Sequence, residues 1–351
     1  MAKKDESPKT DALQQLKDDL KSGQLHTFYI LCGQEAYLRT YYLEQLVKKL
    51  TGGAADAFNY HRFDSQTLTP DALADAVEAM PMMADRTLVR VEDVDLFKLT
   101  EDQRAQYAKI LSDIPEYCCV VFVYSALEFK SDARMKDLHD AIRKNARVVE
   151  FKKQGERELI VWICRHFKAR GKEISDDLCR YLIFLTDGSM QSLAGEIDKI
   201  ATFSTTANIS RGDIDAVATQ TLSVGTFDLS NAITEGNYKL AMEKLQTLFA
   251  LHEDPILILG GIGAQLRRLH YARIIMASGK GQETLIELTS VKNSYAAGLT
   301  MTAARRVTDA FCKRAMELCF ETDRKMKSSG DTPERLLELL VAALAQEVRR
   351  A

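Results

Sequence analysis

The sequence lacks any apolar stretch long enough to span a membrane. A membrane helix needs about 18 or more consecutive, largely apolar residues, and no such run occurs in the 351 residues of the chain. Residues 1–23 also lack the apolar core of a secretory signal. We therefore expect a cytoplasmic protein that makes no contact with a membrane.

The sequence also lacks an excess of charge of either sign. It contains 47 Lys and Arg against 50 Asp and Glu, which gives a net charge of −3. This balance argues against a protein that coats nucleic acid by bulk charge, although it leaves room for a local basic patch. The content of 46% hydrophobic and 28% charged residues is typical of a globular chain, and the length predicts two or three domains.

Cysteine pairs of the C-x-x-C type are missing as well. The seven cysteines are odd in number and most lie in apolar runs, where a free cysteine is usually a small core residue. We expect free thiols, no disulfide framework, no zinc or other metal site, and no cofactor. The cysteines are Cys32, Cys118, Cys119, Cys164, Cys179, Cys312 and Cys319.

A complete phosphate-binding loop is the most informative absence. The pattern G-x-x-x-x-G-K-[ST] lets glycine backbone wrap the phosphates and lets lysine reach the outer ones. Here Gly33 and Thr40 stand at the two ends, but Leu38 replaces the second glycine and Arg39 replaces the lysine. Glu35 adds negative charge where phosphates would lie. We interpret the segment as a degenerate nucleotide loop that is not functional.

Acidic residues after a later strand form only part of a magnesium site. Glu92, Asp93 and Asp95 follow an apolar run that Arg90 interrupts. Because a metal needs its whole ligand set, and the loop has no lysine, we interpret these acids as a solvated loop.

Strand-like and helical segments alternate through residues 1–150, a pattern that predicts a parallel α/β sheet. The predicted strands are Thr27–Cys32, Phe58–Phe63, Thr87–Val91, Cys118–Tyr124 and Arg147–Phe151, with helices at Ala36–Lys49, Pro70–Met80, Thr100–Ser112 and Asp132–Lys144.

After residue 151 only helical spacing remains, so the predicted fold class is α/β plus all-α, with domains at residues 1–150, 151–219 and 220–351. Ser175 is a predicted N-cap, and Ser210 with Asp213 a predicted capping box. The predicted helices are Glu156–Arg170, Ser175–Thr186, Ser189–Thr202, a short one after Ser210, Phe227–Glu235, Tyr238–Leu251, Pro255–Ser278, Thr302–Lys327 and one that starts at Pro333.

Four segments carry a family resemblance through their order and spacing. They are Phe28–Thr40 (FYILCGQEAYLRT), Ala79–Val91 (AMPMMADRTLVRV), Thr186–Phe203 (TDGSMQSLAGEIDKIATF) and Asp323–Leu340 (DRKMKSSGDTPERLLELL). Together they resemble the delta-subunit family of bacterial DNA polymerase III, which belongs to the AAA+ clamp loaders. The resemblance implies an AAA+ type parallel sheet domain, a small helical lid domain and a C-terminal helical collar domain.

The resemblance also implies a function. It is that of a non-catalytic subunit of the replicative clamp loader, which binds the sliding clamp and opens it for loading onto primed DNA. The implied partners are the clamp (beta subunit), the ATPase subunits gamma and tau, delta prime in a pentamer, and primed DNA through the complex. No catalytic residue and no ATPase activity are expected of this chain, although the family is classed with DNA-directed DNA polymerase as part of the holoenzyme. An S-R-C motif, through which AAA+ subunits reach a neighbour's nucleotide, is absent.

The matching positions for clamp contact are Met80, Pro81, Met82 and Met83. The family places an apolar pair here, and flexible methionine suits an irregular pocket on a partner. Proline ends the preceding helix, so the segment cannot all be helix interior. The alternative is that these methionines are core residues below the following strand.

Two features of the C-terminal segment stay open between alternatives. Basic side chains could contact DNA phosphates or form a solvated helix face. The glycines of Gly260–Ala264 could admit a helix of another subunit or a tight contact within the chain. The basic candidates are Arg267, Arg268, Arg273, Lys325 and Lys327.

Two other functions compete with the implied one. An active P-loop NTPase is disfavoured by Leu38 and Arg39, and a stand-alone DNA-binding protein by the net charge of −3.

Overall fold

The computed structural model describes residues 12–51, 58–289, 291 and 293–350. The chain divides into two compact units, Met1–Gln154 and Gly155–Ala351. The first unit contains a parallel sheet with helices, and the second is built from helices. The predicted α/β plus all-α class is confirmed, whereas the division of the helical part at residue 219 stays a prediction.

Five parallel strands form the sheet of the first unit, in the order β2-β3-β4-β1-β5. The register places Leu31 of β1 beside Val123 of β4 and Val149 of β5. All residues of β4 are buried, as the continuous apolar run CCVVFV predicts for a strand covered on both faces. The strands are β1 Phe28–Cys32, β2 Tyr60–Phe63, β3 Thr87–Glu92, β4 Cys118–Val123 and β5 Arg147–Glu150.

Helices cover both faces of this sheet. Because successive side chains of a strand point to opposite faces, alternate residues pack in different apolar clusters. Phe28 and Ile30 pack in a cluster with α3, α4 and α5, whereas Tyr29 and Leu31 pack with α1 and α2. Pro70 lies in the first turn of α3 as predicted. The helices of the first unit are α1 Ala12–Ser22, α2 Ala36–Thr51, α3 Pro70–Glu78, α4 Glu101–Ser112 and α5 Lys136–Asn145.

The second unit contains the remaining described helices. Residues of α10 to α16 share one large apolar cluster. The predicted N-cap Ser175 and the capping box of Ser210 and Asp213 are confirmed. The helices are α6 Glu156–Lys168, α7 Asp176–Leu185, α8 Met190–Phe203, α9 Arg211–Val217, α10 Leu222–Thr234, α11 Tyr238–Ala250, α12 Pro255–Ala277, α13 Gln282–Leu288, α14 Ser294–Ala304, α15 Asp309–Ser328 and α16 Pro333–Arg350.

The single helix predicted over Thr302–Lys327 is wrong. The chain breaks between α14 and α15, and the Thr308 hydroxyl accepts a hydrogen bond from the Phe311 N–H at 3.1 Å to cap α15. A side-chain acceptor at this position satisfies an N–H that has no partner within the helix, and so favours a new start. The prediction for α3 was two residues too long, and α1, α13 and most of α14 were not predicted.

All seven cysteines are free thiols, and six of them are buried. Among the described residues, no helix is long and apolar enough to cross a membrane.

Candidate functional site

The candidate clamp-contact residues lie in the loop between α3 and β3. The helix ends at Glu78. Pro81 follows, and its ring disfavours helical backbone at the preceding residue, Met80. Met80 and Met82 are 72% and 57% exposed, and Met83 is fully exposed at 108%. The three methionine side chains are therefore not core residues, which removes the alternative considered for them.

Asn59 fixes this loop from the beginning of the neighbouring strand. Its side chain is almost fully buried, with 2% exposure. The Asn59 amide donates to the Met82 carbonyl and accepts from the Met82 N–H, both at 2.7 Å. The Asn59 carbonyl in turn accepts from Leu88 N–H of β3 at 2.8 Å. The loop is thus tied to the β2–β3 pair while its methionines stay exposed.

Two further features define the loop. Met83 has a positive φ of 54°, which a side chain other than glycine adopts only where the surroundings hold it. Arg86, at the other end, donates to the Leu25 carbonyl at 2.7 Å. The sequence pattern did not identify Asn59, because its partner lies 23 residues away; its one signal is an amide side chain directly before a strand.

The degenerate nucleotide loop lies at the opposite, carboxyl edge of the sheet. Three residues separate β1 from α2, which begins at Ala36, so Leu38 and Arg39 lie inside the helix. The Arg39 N–H donates to the Glu35 carbonyl at 3.1 Å as part of that helix. The Arg39 amide is therefore used within the helix and is not available to phosphate. Thr40 is exposed.

Gly33 serves the packing of this edge. Its φ of +107° is rarely adopted by other residues, and an added Cβ would lie 2.4 Å from the Phe151 carbonyl oxygen. That same oxygen accepts from the Glu35 N–H at 2.9 Å. The glycine is required by the close approach of the segment after β5, irrespective of any phosphate.

The side chains of Arg39 and Glu35 make hydrogen bonds within the protein at the position where a nucleotide phosphate would bind. Arg39 is buried, with 6% exposure, and donates to the Gly33 carbonyl at 2.6 Å. The Glu35 carboxylate accepts from the Tyr37 N–H in the first turn of α2, and burial raises the pKa of this carboxyl above its ordinary value. An internal carboxylate at a helix N-terminus takes the position that suits a bound anion.

The acidic residues after β3 also have protein partners, so the interpretation of a solvated loop needs correction. Asp93 has a positive φ of 50°, and its Oδ1 accepts three backbone N–H groups at 2.7–3.1 Å. Those groups belong to Ser125, Ala126 and Leu127. Glu92 pairs with Arg90, and Asp95 pairs with Lys98. Among the described residues, no cluster of three or more His, Cys, Asp or Glu could hold a metal.

Two of the candidate DNA-contacting residues, Arg273 and Lys327, lie far apart. Arg273 of α12 binds Asp309 at 2.7 Å and also donates to the carbonyls of Ala304 and Val307. Lys327 lies 18 residues after Asp309 on α15, which at 1.5 Å per residue corresponds to about 27 Å.

The remaining basic candidates differ in exposure. Arg267 and Lys325 are exposed, whereas Arg268 donates to Gln265 at 3.0 Å and burial lowers the pKa of its guanidinium. Lys327 is exposed as well and pairs with Asp323 at 2.8 Å.

The glycine stretch of α12 makes a tight contact within the chain. An added Cβ at Gly261 would lie 2.7 Å from Thr226 Cγ2 of α10, while one at Gly260 would meet open space. The intrachain alternative therefore holds for Gly261.

Comparisons with known proteins agree with this architecture. The family model "DNA polymerase III, delta subunit" matches residues 29–152, and "DNA polymerase III delta subunit, C-terminal domain" matches residues 224–344. The DNA polymerase III subunit delta of Bacillus subtilis is 27% identical over 332 residues, which covers 93% of this chain and 94% of the relative. The solved structure of the Bacillus subtilis DNA clamp loader delta protein shares the fold, with a TM-score of 0.61, 23% identity, and coverage of 95% and 99% of the two chains. The chain therefore belongs to the DNA polymerase III delta subunit family.

Proposed function

We propose that this chain binds the sliding clamp through Met80–Met83, opens it, and does not hydrolyse ATP. In this proposal the chain acts in the cytoplasm within a pentamer that also contains gamma or tau and delta prime. The clamp passes to primed DNA when the ATPase partners change state. Family membership supports the general role, and the geometry of the loop supports the contact.

The observation that carries the proposal is a loop that is hydrogen-bonded to Asn59 and exposes its methionines. Neighbouring apolar side chains exposed together are typical of a partner site, and Met80, Met82 and Met83 are exposed in one loop. Because Asn59 already orders the Met82 backbone through two hydrogen bonds, binding loses less conformational entropy than it would with a free loop. Methionine then adapts to the shape of the partner's pocket.

The carboxyl edge of the sheet supports the proposal that the chain does not hydrolyse ATP. The Gly33–Glu35 segment is too short to wrap phosphates, and Asp93 is engaged by three N–H groups. ATP-dependent steps would therefore be carried by the partner subunits.

Assembly would use the helical residues 220–351. Several large apolar side chains of this segment are exposed, including Ile256 and Leu257 at the start of α12, Phe320 on α15 and Leu339 on α16. Exposed apolar side chains on rigid helices fit a role in a collar of subunits. We favour Arg267 and Lys325 as candidates for DNA contact, because both are exposed.

The test is the double substitution Met82→Ala with Met83→Ala. A methionine buried in a pocket contributes roughly 1.5–3 kcal/mol, so loss of both should weaken clamp binding by about a hundredfold or more. The thermal midpoint should not fall, because both side chains are exposed. Binding is measured on immobilised clamp and melting on the same preparation.

The matched control is Asp85→Ala in the same loop. Asp85 is exposed, and a rim charge mainly alters association rates, so its variant should lose little affinity. Full clamp affinity in the methionine variant would contradict the proposed contact.

A further inference from the structure

A cationic groove lies between α2 and the sheet face near β2 and β3. Its volume is about 580 Å³, and its lining comes from α2, β2, β3 and the end of β4. The groove shares Arg39 and Thr40 with the degenerate nucleotide loop, but neither residues 33–35 nor the loop at 80–83 line it. The charged side chains in its lining are Arg39, Lys48, Arg62, Arg90 and Glu44.

Two arginines of the groove carry buried N–H groups that lack an acceptor. The Nε atoms of Arg39 and Arg90 are buried and have no hydrogen-bond partner among the described residues. Arg39 is 94% buried and otherwise donates to Gly33, and Arg90 contacts Glu92 and the Tyr60 hydroxyl. A buried donor without an acceptor is unfavourable, so the protein alone pairs these two arginines incompletely.

The outer part of the groove adds positive charge that solvent can reach. The Arg62 guanidinium lies over the Tyr60 ring, 4.5 Å from its centroid, a stacking that orients it and leaves its in-plane N–H groups free to donate. Lys48 is exposed on the face of α2 that lines the groove. Hydroxyls of Thr40 and Ser125 also line it.

We propose that this groove binds the phosphate groups of a small organic or inorganic polyphosphate. Arginine forks with a nearby ammonium match several phosphate oxygens at once, and the volume is within the range of small-molecule sites. Asp93 and Asp95 do not line the groove, and its lining contains four basic side chains against Glu44, so phosphate is tested without Mg²⁺. The inference is independent of clamp binding.

The experiment is isothermal titration of the full chain with pyrophosphate and with ADP, both without Mg²⁺. The variant is Lys48→Ala with Arg62→Ala, and the control is Lys49→Ala, which removes one positive charge from the exposed position next to Lys48 and outside the groove. We expect the double variant to weaken pyrophosphate binding at least tenfold and the control to change it less than twofold. Tighter binding of ADP than of pyrophosphate identifies a nucleotide as the source, and equal binding identifies a free polyphosphate.

Three results would overturn the proposal. They are no pyrophosphate binding at millimolar concentration, an equal loss in Lys49→Ala, and binding of a short oligonucleotide without binding of pyrophosphate. Thermal melting verifies each variant. If the melting temperature of the double variant falls below that of the wild type, the titration is repeated with Lys48→Ala alone, because this variant changes one exposed side chain.

Discussion

Asn59 offers a sharp test of how the exposed loop is held. Asn59→Ala removes both hydrogen bonds to the Met82 backbone without touching the methionine side chains. At about 1 kcal/mol net for each hydrogen bond, the variant should lose about 2 kcal/mol of stability, or about 4–8 °C in melting temperature for a unit of this size. The loop should also become less ordered in the free protein. Ordering one residue on binding costs about 1–2 kcal/mol, so clamp affinity should weaken roughly 5–30-fold.

A second buried asparagine separates the loop effect from a general loss of stability. Asn293 is 7% exposed, caps α14, and donates to the Arg180 carbonyl at 3.0 Å. Asn293→Ala should therefore lower the melting temperature to a similar degree and leave clamp affinity unchanged. Both variants are compared by thermal melting and by binding to immobilised clamp, at a temperature where each is folded. Equal affinity in the Asn59 variant and the wild type would refute the role given to this residue.

Three other predictions address the rest of the chain. Gly33→Ala should lower stability by more than about 1 kcal/mol in urea denaturation, because its positive φ and the Phe151 carbonyl leave no room for Cβ. Leu38→Gly with Arg39→Lys should not create ATP turnover above background in a phosphate-release assay, since the loop stays three residues long. A fragment of residues 155–351 should melt at a higher temperature than one of residues 220–351, because Phe184 contacts both Phe227 and Tyr295; equal midpoints would contradict this.

The strands could be predicted from the sequence because their signals are local. Short apolar runs such as CCVVFV fix where β4 lies, and the burial of all its residues follows from helices on both faces. The break between α14 and α15, before Asp309, could not be predicted in this way. Residues 305–307 contain neither glycine nor proline, so the helical pattern continues across them although the backbone does not.

The site was only partly predictable for a related reason. The methionines and the proline are adjacent in sequence, so their loop could be located. Asn59 acts through a contact 23 residues away, which becomes visible only when β2 and β3 pair. Arg39 was interpreted as a lost lysine, whereas the structure gives it a bond to the Gly33 carbonyl and a place in the cationic groove.

The two edges of the sheet lead to one conclusion about the proposed mechanism. β3 runs from the methionine loop at its amino end to Asp93 beyond its carboxyl end, and its six residues span about 20 Å. At the carboxyl edge the Gly33 carbonyl accepts from Arg39, the Glu35 N–H donates to the Phe151 carbonyl, and Asp93 accepts from backbone N–H groups. A site whose groups are satisfied internally gains no differential contact from Mg-ATP, and a ligand without differential contacts shifts no equilibrium. The signal for clamp release would therefore come from ATP bound to the partner subunits, and Mg-ATP added to this chain alone should leave its clamp affinity unchanged.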